Sequence, residues 1–228
     1  MKSYNLRFPP GCAHLIVGPS GSGKTFRVAK ILELKDILFS GGEKIKNVVF
    51  CYAAWQPIYQ KLKDNNIVSQ WVNRMPSNEE FIELVDRYKN DGGSIVIIDD
   101  FMSEMNDDMD VIVRVSSRHY NTSTFILLQC LFPKQKCARN ISLNAKFIHI
   151  HKNPRENAQI QYLARQICPD SNQWIVQVFH DVTQDPFSCL LIDLTQERES
   201  HLRFRSNYLP EEFPMKVWMD KKWNVRVS

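Results

Sequence analysis

The chain has 228 residues, of which 43% are hydrophobic and 24% charged, a length and balance that suit one α/β domain with additions. No apolar stretch approaches the roughly 18 residues that cross a bilayer, and residues 1–10 lack the apolar core of a signal peptide. We therefore expect an intracellular protein without a membrane span. The six cysteines lack Cys-x-x-Cys spacing, which indicates reduced core thiols rather than disulfides.

The first predicted elements are a strand at 13–17, a glycine-rich loop and a helix at 23–34. The loop consists of Gly18, Pro19, Ser20, Gly21, Ser22, Gly23, Lys24 and Thr25. This spacing, between a strand and a helix, is typical of a phosphate-binding loop whose backbone N–H groups and helix N-terminus face phosphate oxygens. We expect Lys24 to neutralise charge between the β- and γ-phosphates and the Thr25 hydroxyl to bind Mg²⁺. The sequence thus predicts a site for ATP and Mg²⁺.

The next predicted elements are a strand at 47–52, a helix at 78–88 and a strand at 94–98. Two carboxylates directly follow the last of these strands. An apolar strand that ends in Asp99 and Asp100 has the form of the second ATPase motif. In that interpretation Asp99 holds the Mg²⁺ shell and Asp100 polarises the attacking water. Many ring ATPases carry the longer Glu at the second position, so a non-hydrolysing, nucleotide-gated scaffold protein stays open as an alternative.

A neutral amide, Gln129, ends the predicted strand at 124–129, which follows a predicted helix at 107–118. A glutamine at the carboxyl end of a strand can hydrogen-bond both a γ-phosphate oxygen and the lytic water. For an isolated strand, a surface residue that opens a loop is the simpler interpretation. The order of phosphate loop, acidic strand and polar-ended strand favours a catalytic role.

The second half of the sequence is predicted to continue the sheet and then to extend it. Four further elements are predicted: a strand at 146–151, a helix at 156–167, and strands at 174–179 and 188–194. The last two strands would form an antiparallel hairpin. We expect residues 1–195 to form the ATPase domain and residues 196–228 a C-terminal arm that packs on its own subunit or a neighbour.

Positive charge is concentrated between residues 134 and 165. This segment contains seven basic residues and only one acidic residue, Glu156. The basic residues are Lys134, Lys136, Arg139, Lys146, Lys152, Arg155 and Arg165. Such a segment suits either a polyanion or a solvated surface. An aromatic cluster of Tyr52, Trp55 and Tyr59 likewise suits adenine stacking or a partner surface, although core packing is the simpler interpretation.

Taken together, the motifs GPSGSGKT, SIVIIDD, SSRHYNTSTFILLQ and SLNAKFIHIHKNPRE resemble those of the genome-packaging ATPases of double-stranded DNA viruses and virus-like Polinton elements. These proteins are a branch of the FtsK-HerA superfamily of P-loop ATPases, and the resemblance covers about residues 10–195. It implies a RecA/ASCE-like, mainly parallel sheet in which the Gln129 strand lies between the phosphate-loop strand and the Asp99 strand. It also implies a homo-oligomeric ring, pentameric or hexameric, that pumps double-stranded DNA into a capsid.

In such a ring the nucleotide lies at a subunit interface, where a neighbour's arginine can stabilise the transferred phosphoryl group. The first candidate is Arg118, where the resemblance places a conspicuous arginine, followed by Arg155 and Arg139. The alternative for each of the three is a solvated residue or a contact to a DNA phosphate. It also implies capsid vertex proteins as partners and a host cell during virion assembly as the location. A small-molecule or nucleotide kinase is a further alternative, since the same phosphate loop occurs in nucleotide kinases.

Overall fold

The computed structural model describes residues 4–101, 107–134, 136–155 and 157–220, without the side chains of residues 107, 108, 117, 118 and 136. Its strands are β1 (Ala13–Val17), β2 (Asn47–Tyr52), β3 (Gln70–Val72), β4 (Ser94–Asp99), β5 (Thr122–Leu128), β6 (Phe147–His151), β7 (Cys189–Asp193), β8 (Phe204–Ser206) and β9 (Lys216–Trp218). They form one nine-stranded sheet in the order β3-β2-β4-β5-β1-β6-β7-β8-β9.

The six strands from β3 to β6 in this order run parallel. The strand that precedes Gln129, β5, pairs with β1 on one side and with β4 on the other. The prediction of an α/β fold with this strand between the phosphate-loop strand and the Asp99 strand is therefore confirmed. Because parallel strands end at the same side, Val17, Asp99 and Leu128 lie together at what we call the carboxyl end of the sheet.

Helices cover both faces of the sheet. They are α1 (Lys24–Glu33), α2 (Lys35–Leu38), α3 (Pro57–Asp64), α4 (Asn78–Val85), α5 (Asp107–His119), α6 (Lys136–Asn144), α7 (Asn157–Ile167) and α8 (Asn172–Val182). Alternate side chains of β1 point to opposite faces, so Leu15 joins the core beneath α4–α8 whereas Ile16 joins the core beneath α1 and α3. Both faces of the parallel sheet are thus buried, as the uninterrupted apolar strands require.

The predicted strand at 174–179 is wrong, since these residues lie within helix α8. The buried residues of α8 are Ile175, Val178, Phe179 and Val182, which follow helical spacing. The antiparallel extension of the sheet is nevertheless present. It consists of β7, which pairs with β6, followed by β8 and β9. The division at residue 195 stays a prediction, and the described residues after it add two strands to the sheet.

Opposite the carboxyl end, Phe147 of β6 pairs with Asp193 of β7 at what we call the amino end of the sheet. The Asp193 carboxylate accepts hydrogen bonds from Arg205 Nη2 at 2.6 Å and from Arg198 Nε at 2.7 Å. The side chains of Asp193 and Arg205 are 0% and 1% exposed. These three residues form the amino-end charge cluster. The two arginines also donate to backbone carbonyls of the N-terminal segment, at Asn5 and Leu6.

Two further observations bear on the expectations from composition. All six cysteines are free thiols. None of the helices in the described part of the chain is both long and apolar enough to cross a membrane.

Candidate functional site

A pocket of about 540 Å³ opens at the carboxyl end of the sheet. The lining residues come from the glycine-rich loop, from the ends of β4 and β5, from α3 and from the loop before β7. They are Ser20, Gly21, Gly23, Lys24, Thr25, Phe26, Gln56, Ile58, Asp99, Asp100, Leu127, Gln129 and Phe187. The pocket therefore brings together Lys24, Thr25, Asp99, Asp100 and Gln129, which the sequence analysis had selected from three separate segments.

The loop between β1 and α1 has a shape that favours glycine at three positions, of which Gly18 and Gly23 show the reasons most clearly. Gly23, the N-cap of α1, has a φ of 92°, in the left-handed region that residues with a Cβ rarely adopt. A Cβ on Gly18 would lie 2.6 Å from Ser22 Oγ and 2.8 Å from the Cβ of His151. The loop is thus folded closely over the end of β6, which leaves its backbone N–H groups and the start of α1 directed toward the pocket.

The Lys24 side chain turns back onto this loop. Its Nζ donates to the carbonyl oxygens of Gly18 at 2.6 Å and Pro19 at 2.9 Å. Burial lowers the pKa of Lys24, while the nearby carboxylates of Asp99 and Asp100 act in the opposite direction. An ammonium with two neutral acceptors and two carboxylates in its surroundings can exchange the carbonyls for phosphate oxygens without a large rearrangement.

The Asp99 carboxylate is the most buried acid of the pocket, at 4% exposure. Its Oδ2 accepts hydrogen bonds from Thr25 Oγ1 at 3.1 Å and from the Tyr59 hydroxyl at 2.7 Å. Burial raises the pKa of Asp99, although these two hydrogen bonds and Lys24 lower it. A neighbouring cation would favour the charged carboxylate, so the pair of Thr25 and Asp99 suits a hard divalent ion such as Mg²⁺.

Asp100 and Gln129 form a second, exposed polar pair beside the first. Gln129 Nε2 donates to Asp100 Oδ1 at 3.4 Å, which joins the ends of two neighbouring strands. Asp100 has a φ of 67°, so the backbone turns sharply where β4 ends. The adjacent residues Asp99 and Asp100 consequently differ in environment, one buried on Thr25 and one exposed at the pocket wall.

Ser22 supplies a further sign that the loop is built for a ligand. Its Oγ is buried and has no hydrogen-bond partner among the described residues. Below the loop, His151 is 1% exposed, and burial, helped by Arg27 and Lys24, lowers its pKa to about 3. An uncharged His151 adds no cation to the loop, so the positive charge available to a phosphate comes from Lys24 and the N-terminus of α1.

The sequence predicted neither the contact of Tyr59 with Asp99 nor two aromatic residues that line the pocket. Tyr59 is fully buried, in contact with Tyr52 and Trp55, and its hydroxyl contacts Asp99. Tyr59 of the aromatic cluster is thus part of the core, and its hydroxyl also binds the Asp99 carboxylate. Phe26 and Phe187 also line the pocket. A signal for Phe26 existed, because it directly follows the phosphate-loop motif, whereas Phe187 has no sequence signal that we recognise.

Of the three candidate arginines, Arg118 lies in the last turn of α5, but its side chain is outside the described part of the structure. Arg155, in the loop that follows β6, and Arg139, on α6, are both exposed. The other described basic residues between 134 and 165 are exposed too. The roles of all these residues stay predictions.

The loop, the strand order and the acidic strand end together define the fold of the P-loop NTPases. The chain matches no protein-family model and no curated protein. Among solved structures it is similar to the genome packaging NTPase B204 from Sulfolobus turreted icosahedral virus 2, in complex with AMPPCP. The TM-score is 0.53 and the identity 14%, over 90% of this chain and 96% of that chain.

A second similar structure is the KaiC-like protein PH0186 from the hyperthermophilic archaeon Pyrococcus horikoshii OT3. Its TM-score is 0.50 and its identity 11%, over 92% of this chain and 91% of that chain. At these identities the two similarities establish the shared fold.

Proposed function

We propose that the chain is an ATPase that uses ATP hydrolysis to move double-stranded DNA into a viral capsid. The observation that carries the hydrolase part is the shared contact on Asp99, whose Oδ2 accepts from both Thr25 Oγ1 and Tyr59 in the pocket that holds Lys24. This arrangement provides a phosphate-binding lysine and a hydroxyl and carboxylate pair suited to Mg²⁺.

In this proposal each residue has a distinct task. Lys24 leaves the Gly18 and Pro19 carbonyls and binds phosphate oxygens, and the unpartnered Ser22 hydroxyl adds a donor. Bound Mg²⁺, held by Thr25 and Asp99, would neutralise charge on the phosphates. Asp100 accepts a proton from the attacking water and Gln129 orients that water, since the two side chains already contact each other.

The DNA-packaging part is supported by two observations. One is the similarity to a viral genome packaging NTPase. The other is the exposure of the described basic residues between 134 and 165, which suits contacts to the phosphates of duplex DNA. Capsid vertex proteins as partners and a host cell as the location are further parts of this proposal.

The test is ATP turnover with and without double-stranded DNA, with Lys24→Ala as the inactive control. A DNA translocase should be stimulated by duplex DNA of any sequence, and the stimulation should weaken as salt rises from low to moderate concentration. Stimulation by a small acceptor instead would indicate a kinase. A response to neither would indicate the nucleotide-gated scaffold protein, and stimulation that salt leaves unchanged would exclude the basic segment as the DNA contact.

The proposal includes a ring in which Arg118 completes the site of a neighbouring subunit. An arginine supplied in trans contributes about 10³ or more to turnover, so Arg118→Ala should bind ATP normally and hydrolyse it very slowly. Mixing Arg118→Ala subunits with Lys24→Ala subunits should restore activity, because some interfaces then contain both intact residues. No recovery in verified mixed rings would transfer the role to Arg155 or to an arginine that acts within its own subunit.

A further inference from the structure

Phe187 lines the pocket in an unusual conformation. It precedes β7, its side chain is 64% exposed, and its φ of 65° lies in the left-handed region, where a bulky aromatic residue is rare. Its ring lies against the phosphate loop, because a Cβ built on Gly23 would come within 3.1 Å of Phe187 Cδ1. An exposed apolar ring in a disfavoured backbone conformation indicates that the position has a task other than folding.

The backbone of Phe187 is held by a hydrogen bond from Arg27. The carbonyl oxygen of Phe187 accepts a hydrogen bond of 3.1 Å from Nη2 of Arg27, the third residue after Lys24 in helix α1. Arg27 is 4% exposed, pairs with Glu212 at 2.7 Å, and its guanidinium lies 5.2 Å from the centre of the Tyr208 ring. The backbone of Phe187 is therefore tied to the same helix that begins at the phosphate loop, and its ring lies beside Gly23.

The pocket lining contains two chemically different sets of residues. Lys24, Thr25, Asp99 and Asp100 supply charge and hydrogen-bonding groups. Phe187 and a second exposed ring, Phe26, which is 54% exposed, supply apolar surface on the loop side of the pocket. A triphosphate suits the first set of residues, and a flat aromatic group suits the second.

We propose that Phe187, together with Phe26, is the base-binding surface of the pocket and stacks on the nucleobase of the bound nucleotide. The inference rests on the proposed nucleotide-binding function and extends it to the recognition of the base. Stacking uses the π-face that every nucleobase has, and in single-stranded nucleic acid complexes it is tolerant of the base. ATP and GTP are therefore expected to depend on Phe187 to a similar degree, while a phosphate chain without a base does not.

The experiment measures the dissociation constants of ATP, GTP and inorganic tripolyphosphate, each with Mg²⁺, by titration calorimetry. Phe187→Ala should weaken ATP and GTP about tenfold and leave tripolyphosphate unchanged, because stacking on an aromatic side chain is lost but the phosphate loop is intact. Phe187→Trp keeps an aromatic ring at this position and should therefore bind both nucleotides with about the affinity of the parent. Tyr162→Ala is the matched control, since Tyr162 is a similarly exposed aromatic residue on α7 and should leave all three constants unchanged.

Each other outcome overturns the inference in a recognisable way. Unchanged ATP affinity in Phe187→Ala would show that the ring does not contact the base. An equal loss for ATP and tripolyphosphate would show that Phe187 supports the phosphate loop instead, and the proposed nucleotide-binding function would still hold. A parent protein that binds neither ATP nor tripolyphosphate would overturn the proposed function itself, and the inference with it.

Discussion

At the carboxyl end of the sheet, Lys24 and Asp99 face an open pocket, whereas at the amino end Asp193 and Arg205 are sealed between strands. Both sets contain buried charge, but their partners differ. Asp99 accepts hydrogen bonds only from neutral hydroxyls, those of Thr25 and Tyr59, among the described residues. Asp193 instead pairs with two arginines.

This difference indicates which charges serve a ligand and which serve the fold. A buried carboxylate without a cationic hydrogen-bond partner retains the capacity to bind one from outside, and burial accordingly raises the pKa of Asp99. At the amino end, Arg205 keeps its charge at neutral pH, because burial lowers its pKa only to about 10 against the opposing effect of Asp193. Changes at the carboxyl end should therefore alter chemistry, and changes at the amino end should alter stability.

The largest effect is expected from Lys24→Ala, which should abolish hydrolysis and weaken nucleotide binding. It removes the only lysine or arginine of the segment 18–25 while leaving the strands and the amino end untouched. Turnover and ATP affinity are the measurements, with the urea midpoint as a check that stability is unchanged. Lys30→Ala, on the same helix, is the control and should retain activity. Turnover of Lys24→Ala within tenfold of the parent would contradict the assignment.

The next effect separates the two acids of the pocket. Asp100→Asn should bind Mg-ATP but hydrolyse it about 10²- to 10⁴-fold more slowly, the usual contribution of a general base. Asp99→Asn should instead weaken the Mg²⁺-dependent part of ATP binding, since Asp99 contacts Thr25. Turnover and ATP affinity across a Mg²⁺ titration distinguish the two. If both variants bind and turn over alike, the division of roles is wrong.

At the amino end, Asp193→Ala should lower the free energy of unfolding by about 3–5 kcal/mol, because it leaves the charge of Arg205 buried without its partner. The same substitution at the exposed Asp181 of α8 should change it by less than about 0.5 kcal/mol. Urea unfolding measures both. Equal stability of the two variants would mean that the amino-end charge cluster does not hold the strands together.

The smallest effect of a single substitution is expected in the pH dependence of stability, at one of the histidines between the two ends. Burial lowers the pKa of His14 and of His151 to about 3, and that of His149 well below its usual value. Below about pH 6.5 the unfolded chain binds protons that the folded protein excludes. The histidine contribution to stability should thus be constant above pH 7 and fall as the pH drops toward 3, by at most about 1.4 kcal/mol per pH unit for each histidine.

Urea midpoints between pH 7.5 and pH 4.5 measure this slope. His14→Phe should make the slope shallower, because His14 no longer takes up a proton on unfolding. The same change at the exposed His180 of α8 should leave the slope as it is in the parent. An unchanged slope in His14→Phe would show that His14 does not contribute.

The part of the fold that the sequence predicts is the parallel part. Its strands are apolar on both faces and its loop motif has fixed spacing, so local pattern was sufficient to place Lys24 and Asp99, and the family resemblance supplied the strand order. Local pattern failed at 174–179, because a short apolar run suits either a strand or a buried helix. It also could not place Tyr59 on Asp99, since that contact joins residues 40 positions apart through the packing of α3.

The segment that contains Asn5 and Leu6 has partners far along the chain. Arg198 donates to the carbonyl of Asn5 across 193 residues, and Arg205 donates to that of Leu6 across 199. During synthesis residues 5 and 6 are made well before these arginines, so the segment has neither partner until Arg198 and Arg205 have been added. Strand β1 also waits, because its neighbours β5 and β6 both follow much later in the chain. Strand β1, at the centre of the sheet, is therefore made well before both of its neighbours, so chaperones can reach the segment that leads into the phosphate loop until β5 and β6 have been made.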